Sequence, residues 1–291
     1  MNLPLHSGAF HLRHEFPANG TLVLAKLKEP DAVRRRRALR RVDRELSKGN
    51  HKAALTLVKQ LQGKPGGLRG FGSAKQVHRR ISSLDELKLS GIDISYLQSL
   101  VDSILNSIER SIEFQLSEEH EAGHFLVGYL LGVLPKGYKV SNMEALRQEK
   151  FARGRVEFLG FEFLRDIDTT KILQNFSKGK LFDGANRGKI SSTTLNKFLC
   201  VILGGLAAEQ LVFGYSEGLH SDVEKLNRVL KWLGFTESEA DSQVKWAAVN
   251  TLLILVRHQE ARSKVAEAMA LGKSVGSCID IIENTLIGKE I

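Results

Sequence analysis

Apolar residues along this chain recur mostly at intervals of three and four, the spacing of helices that bury one face. From Asp31 the pattern predicts a basic helix. Ala38, Leu39, Val42 and Leu46 form its apolar stripe, while Arg34, Arg35, Arg36, Arg37, Arg40, Arg41 and Arg44 cover the other faces. Gly49-Asn50 breaks it, and a second helix carries Ala53, Ala54, Leu57, Val58 and Leu61 as far as Gly63-Lys64-Pro65-Gly66-Gly67. Together they make a helical hairpin like one unit of a helical repeat, but no second copy follows. Ser83-Leu84-Asp85-Glu86 has the form of a capping box, and Leu97, Leu100, Val101, Ile104, Leu105 and Ile108 mark a further amphipathic helix.

The next helix is predicted to start at a Ser117 cap, with Glu118 and Glu119 in its first turn, and to stop around Gly132 to Pro135. Helical spacing returns from Thr193 through Phe213. Another helix follows from the capping-box pattern Ser221-Asp222-Val223-Glu224 to about Leu233, then two or three more through the core run Trp246–Val256, ending around Cys278–Leu286. Gly204, Gly205, Ala207 and Ala208 leave little side chain on one side of their helix, so a second helix can approach there. Alternation is confined to Arg155–Phe163, which fits either a cleft-edge strand or a surface hairpin. Residues 1–29 lack periodicity and read as a flexible lead-in, and Lys178–Lys189 reads as a polar loop. The expected fold is mainly α with a small β element. A helical N-terminal region spans 30–112, with a linker near 63–82, and a second domain spans 113–291.

Composition narrows the classes. The 291 residues are 42% hydrophobic and suffice for a full core, with one large or two small domains. The apolar runs Phe125–Pro135, Phe198–Ala208 and Trp246–Val256 fall short of the roughly twenty residues that cross a bilayer, so a soluble or peripheral protein is expected. Cys200 and Cys278 lack metal-site spacing and fit a reducing compartment. The net charge of +9 allows an acidic partner, a membrane surface or nucleic acid. No aromatic residues interleave with the arginines of the first helix, which points away from nucleic acid and toward an amphipathic helix docking on a partner. The glycine-rich stretch Gly67–Lys75 has Ser73 where a phosphate loop needs lysine, and reads as a flexible linker.

The chemistry concentrates in Glu118-Glu119-His120-Glu121-Ala122-Gly123-His124. His-Glu-x-x-His sets two imidazoles a turn apart on one helix face, where they can grip one zinc ion, with Glu121 placed to take a proton from a zinc-bound water. A catalytic zinc needs a third protein ligand. The pattern alone offers Glu209, Asp222, His220 and His258.

His120–Val127 resembles the zinc motif of the FtsH-type proteases, and Gly204-Gly205-Leu206-Ala207-Ala208-Glu209-Gln210-Leu211-Val212-Phe213-Gly214 resembles their second signature. Ser221-Asp222-Val223 matches the short stretch that bears the family's aspartate ligand. The likeness covers roughly residues 115–290. It implies a helical zinc metallopeptidase domain over 113–291, with His120, His124 and Asp222 as zinc ligands and Glu121 as catalytic base. It further implies hydrolysis of unfolded or damaged proteins, working with an ATPase-bearing partner or as a homo-oligomer. Leu206 stands where the family usually has arginine, the stretch from His124 to Asp222 is longer than usual, and no ATPase module is visible. Plant plastid FtsH-like proteins lacking that module are the best likeness. They imply a plastid location, peripheral membrane association, and as the alternative a non-proteolytic scaffold or regulatory subunit.

Overall fold

The computed structural model describes residues 30–80, 83–109, 118–139, 155–165, 167, 190–216 and 220–288. The lead-in, the Ser117 cap and the Lys178–Lys189 loop lie outside them. Among the described residues the fold is mainly helical, with twelve helices and one two-stranded antiparallel sheet. In chain order these are α1 (Asp31–Ser47), α2 (His51–Leu61), α3 (Lys75–Arg79), α4 (Leu84–Leu89), α5 (Ser95–Glu109) and α6 (Glu118–Leu130). Strands β1 (Pro135–Lys139) and β2 (Arg155–Phe158) follow, then α7 (Ser192–Ile202), α8 (Gly204–Phe213), α9 (His220–Trp232), α10 (Glu237–Arg257), α11 (Gln259–Ala270) and α12 (Val275–Thr285).

Helix α6 is the axis of the fold. Every residue from His120 to Leu130 is buried, so this helix has no solvated face and is packed on all sides. Its most extensive neighbours are α8 and α11, with α7, α10 and both strands around the remainder. Two glycines make the close approaches. A Cβ on Gly123 would stand 2.2 Å from the Gly204 carbonyl oxygen, and one on Gly128 would stand 2.3 Å from the Phe158 ring. The first notch admits the backbone of α8 and the second admits an aromatic side chain from β2. The small-residue stretch 204–208 therefore faces α6, as its composition predicts.

The strand segment is shorter than the alternation predicts. Pairing with β1 ends at Phe158, because Leu159 and Gly160 turn the chain, with Gly160 at φ +102°. Phe161 and Phe163 then fold back onto Phe198, and Phe163 stacks on Trp232. Burial of those rings outweighs continuation of a two-stranded ladder. The predicted helix 193–213 is two helices meeting at Leu203. End to end, Ser192–Phe213 is long and apolar enough to cross a membrane, yet 83% of its most apolar window is buried inside this fold. The Ser83 capping box forms as predicted. At the second capping-box pattern α9 already begins at His220, so Ser221 lies inside the first turn.

The glycine-rich stretch expected to be a flexible linker is packed. Its Leu68 and Phe71 are buried, and the amides of Gly72 and Ala74 donate to the Tyr129 and Leu130 carbonyls at the end of α6, where Tyr129 also accepts from the Gly132 amide. The stretch does bind an anion, but an internal one. The Glu283 carboxylate of α12 accepts from the backbone amides of Arg69 and Gly70 and from the Tyr129 hydroxyl. Within the chain, the basic helix docks on α12. Arg35 donates to Asp280 at 2.7 Å and to Asn284 at 2.6 Å, and Arg36 reaches the other Asp280 oxygen at 2.8 Å. Asp43 at the far end of α1 accepts from Ser274 and from the Gly276 amide at the start of α12.

Arg35 is 5% exposed, so removing its carboxylate strands a buried cation. Asp280→Ala is expected to cost about 3–5 kcal/mol, read as a lower urea midpoint at unchanged slope. Arg36→Ala, which alters a side chain 55% exposed, is expected to stay within about 1 kcal/mol.

Candidate metal centre

His120 and His124 sit in the first half of α6 and point the same way because four residues is just over one turn. Asp222 lies 98 residues beyond His124, in the first turn of α9, where the helix dipole favours a negative charge. The fold brings these three together. His120 Nε2 lies 3.2 Å from Asp222 Oδ2, His124 Nε2 lies 3.0 Å from the same oxygen, and the two Nε2 atoms are 3.0 Å apart. All three residues are buried. Among the described residues this is the one group of three or more such side chains whose ligand atoms converge.

The outer nitrogens decide which inner atoms are bare. His124 Nδ1 is 2.6 Å from the Val201 carbonyl oxygen, which can only accept, so Nδ1 carries the hydrogen. His120 Nδ1 faces Glu209 Oε1 at 3.1 Å, again an acceptor. In neutral rings both Nε2 atoms are then lone pairs, and they face each other and a carboxylate oxygen. Three electron-rich atoms converging on one point repel unless a cation or a proton lies between them. The edges of 3.0–3.2 Å are slightly shorter than the roughly 3.3 Å that tetrahedral ligands at about 2.0–2.1 Å from zinc would show. The donor set therefore fits a metal ion, and the buried group can hold one.

Proton affinities tell the same story. Burial pulls His120 down, but its hydrogen bonds to Asp222 and Glu209, with their charges, raise it to about 10. Burial acts to raise Asp222, yet the charge of His124, the hydrogen bonds from both imidazoles and Lys225 hold it well below the usual carboxylate range. Without a metal, a proton takes the cation's place. Glu121 goes the other way: burial raises its carboxyl, and the nearby imidazoles offset only part of that. Its Oε2 is buried and has no hydrogen-bond partner. An unpartnered carboxylate oxygen beside three ligand atoms is costly, and such a group persists where it has a task.

The supporting residues are the part that sequence reasoning did not place. Glu209, weighed as a ligand, instead braces a ligand: it holds His120 by Nδ1 and is itself held by Ser216 Oγ at 3.0 Å. Gly205, one turn before it, leaves the space that the His120 ring fills, since a Cβ there would stand 2.4 Å from Nε2. The pair Gly205 and Glu209 at i and i+4 on the helix facing α6 is the signal that could have found this role. Lys225, three residues after Asp222, binds its outer oxygen Oδ1 at 2.8 Å and leaves Oδ2 to the imidazoles. His258 is buried at the junction of α10 and α11, outside the converging group. For His220 only the backbone, at the start of α9, lies within the described structure.

Glu121, His124 and Asp222 form part of the wall of a cleft of about 430 Å³. The opposite side is built from β2 and the turn after it, with α7 between them. Compared with protein-family models, with curated proteins and with solved structures, the chain finds no match.

Alanine at His120, His124 or Asp222 is expected to abolish stoichiometric metal binding, measured by competition with a chromophoric chelator. Glu209→Ala keeps all three ligands but frees the His120 ring, and is expected to weaken binding about 10–100-fold. Gly205→Ala, which pushes on the same ring, is expected to weaken binding in the same assay.

Proposed function

We propose that this protein is a zinc-dependent metalloendopeptidase of the FtsH type, acting on peptide bonds of unfolded or damaged polypeptides. The observation that carries the reading is the convergence of the bare Nε2 atoms of His120 and His124 with Asp222 Oδ2, beside an unpartnered Glu121 oxygen, at the wall of an open cleft. The order of the three motifs along the chain supports the same reading. Two imidazoles and one carboxylate suit zinc, which takes nitrogen and oxygen ligands and keeps a position open in catalytic sites.

Zinc held there would supply Lewis acidity toward a peptide carbonyl and bring the pKa of water near 7. The chain's own residues do the remainder. Glu121 Oε2 takes the proton of the attacking water and passes it to the departing amine nitrogen. Its raised proton affinity suits both halves of that transfer, because it can take up the proton and hold it until the amine is ready. Glu209 and the Val201 carbonyl fix the imidazoles by their outer nitrogens, and Lys225 fixes the Asp222 carboxylate. The cleft admits an extended chain alongside β2, whose edge can align a substrate backbone.

Glu121→Gln separates base from ligand. The variant is expected to keep about one zinc per chain while cleavage of an unfolded protein falls on the order of 10²–10⁴-fold. The checks are elemental analysis and a fluorogenic unfolded substrate, with the partner ATPase of the native compartment added where cleavage requires it. Wild-type cleavage rates in Glu121→Gln would remove the assigned base. Folded wild-type protein without zinc would favour a non-proteolytic scaffold.

A further inference from the structure

The cleft has a charge pattern that the metal chemistry does not require. Apart from the triad and Glu121, its wall carries Lys136, Arg155, Arg165 and Lys225 against Glu157 and Glu162. Glu157 is taken up by Lys136 at 2.9 Å, and Glu162 accepts from the Gly160 amide. Lys225 is held by Asp222. Arg155, exposed at the start of β2 and near the Glu157 charge, makes no ion pair among the described residues, and β2 is the strand beside which an extended chain would lie. The N-terminal hairpin also reaches this wall. His51, the first residue of α2, lines the cleft, and its Nδ1 is buried without a hydrogen-bond partner. An exposed cation without an ion pair among the described residues and a ring nitrogen without a hydrogen-bond partner share one wall, where a carboxylate brought by the ligand can meet both.

We propose that the cleft selects polypeptide segments carrying acidic side chains, with Arg155 as the charged contact and His51 as a hydrogen-bonding contact supplied by the N-terminal hairpin. The inference rests on the peptidase reading of the site for its substrate class. It goes further in giving the N-terminal hairpin, through His51 of α2, a part in recognition beyond the packing of α1 on α12. The remaining wall is apolar, from Phe158, Phe161 and Phe198, so the carboxylates set preference while backbone and apolar contacts supply common affinity.

The test is binding, so that it stands apart from turnover. Zinc-loaded Glu121→Gln protein is titrated into two fluorescein-labelled unstructured peptides of equal length, one bearing glutamates at the positions where the other bears lysines. Fluorescence anisotropy is read at low and moderate salt. The glutamate peptide is expected to bind about tenfold more tightly or better, with the ratio shrinking as salt rises. Arg155→Glu is expected to bring the ratio close to one with zinc content and helical circular dichroism unchanged. His51→Ala is expected to loosen the glutamate peptide severalfold under the same two controls. Equal affinities for the two peptides overturn the inference. A preference that survives Arg155→Glu also overturns it, because it would belong to the chain's overall charge of +9. Wild-type protein that cuts both peptides alike removes this inference and leaves the peptidase reading. Selective binding by zinc-loaded protein that cuts neither peptide, even with the partner ATPase of the native compartment added, supports the inference and removes the peptidase reading.

Discussion

The backbone contact between α6 and α8 at Gly123 and Gly204 is the constraint from which the rest of the site follows. Side chains at either position would hold the two helix axes apart, because a Cβ on each would fall within 3 Å of the other's backbone. At contact distance the next two features of α8 come into register with α6. Gly205 makes room for the His120 ring, and Glu209, one turn on, meets its outer nitrogen. The tautomer that leaves Nε2 bare is thus set by how closely two helices approach. A separation larger by one methyl group would cost the ring its brace before it cost the fold its core.

A second group of buried charges anchors the other end of α6. Glu283 ties the glycine-rich turn and the Tyr129 hydroxyl to α12, while Asp280 on the same helix holds Arg35. The half of α6 that carries His120 and His124 therefore belongs to a helix whose last turn is gripped by the N-terminal region. Buried carboxylates are expensive to desolvate, and these two are accommodated because backbone amides, a hydroxyl and a guanidinium surround them. Tyr129 follows from the same arrangement: burial, then the adjacent Glu283 charge, raises its hydroxyl well above the usual tyrosine range, so it stays a donor. Physical continuity between hairpin and site is what gives a residue such as His51 access to the cleft.

Much of this was legible in the chain because helices report themselves locally. The stripes of α1, α2 and α5, the glycine breaks at Gly49 and Gly132, and the spacing of His120 and His124 are all readable within one window. Small residues at 204–208 announced a close neighbour, though not which one. Position across long separations was hidden. Pattern alone left Glu209 and Asp222 both open and the resemblance named Asp222, but only the geometry sets Glu209 on the outer nitrogen of His120 and Asp222 among the converging atoms. The fate of the arginine run was hidden too, since its partner Asp280 lies 245 residues from Arg35 and shows no feature in the sequence that marks it as one. The glycine-rich turn misled because glycine allows mobility and close packing alike. Its amides are fixed by Glu283, Tyr129 and Leu130, none of which is nearby in sequence.

Two carboxylates flank the same small volume, and their surroundings drive them apart. Asp222 has a lysine on one oxygen and two imidazoles on the other, which keep it ionised and give it the character of a ligand. Glu121 shares the burial but has an oxygen without any partner, and burial raises its affinity for a proton. Their surroundings are not interchangeable: the Glu121 Oε2 is buried without a hydrogen-bond partner, while Asp222 is paired on both oxygens. On the proposed peptidase reading, that separation would let one site carry out acid and base steps at a single pH. Both carboxylates are buried, and what separates them is pairing: the charge of His124 and the hydrogen bonds from both imidazoles, with Lys225 added, hold Asp222 down, while the Glu121 Oε2 has no hydrogen-bond partner.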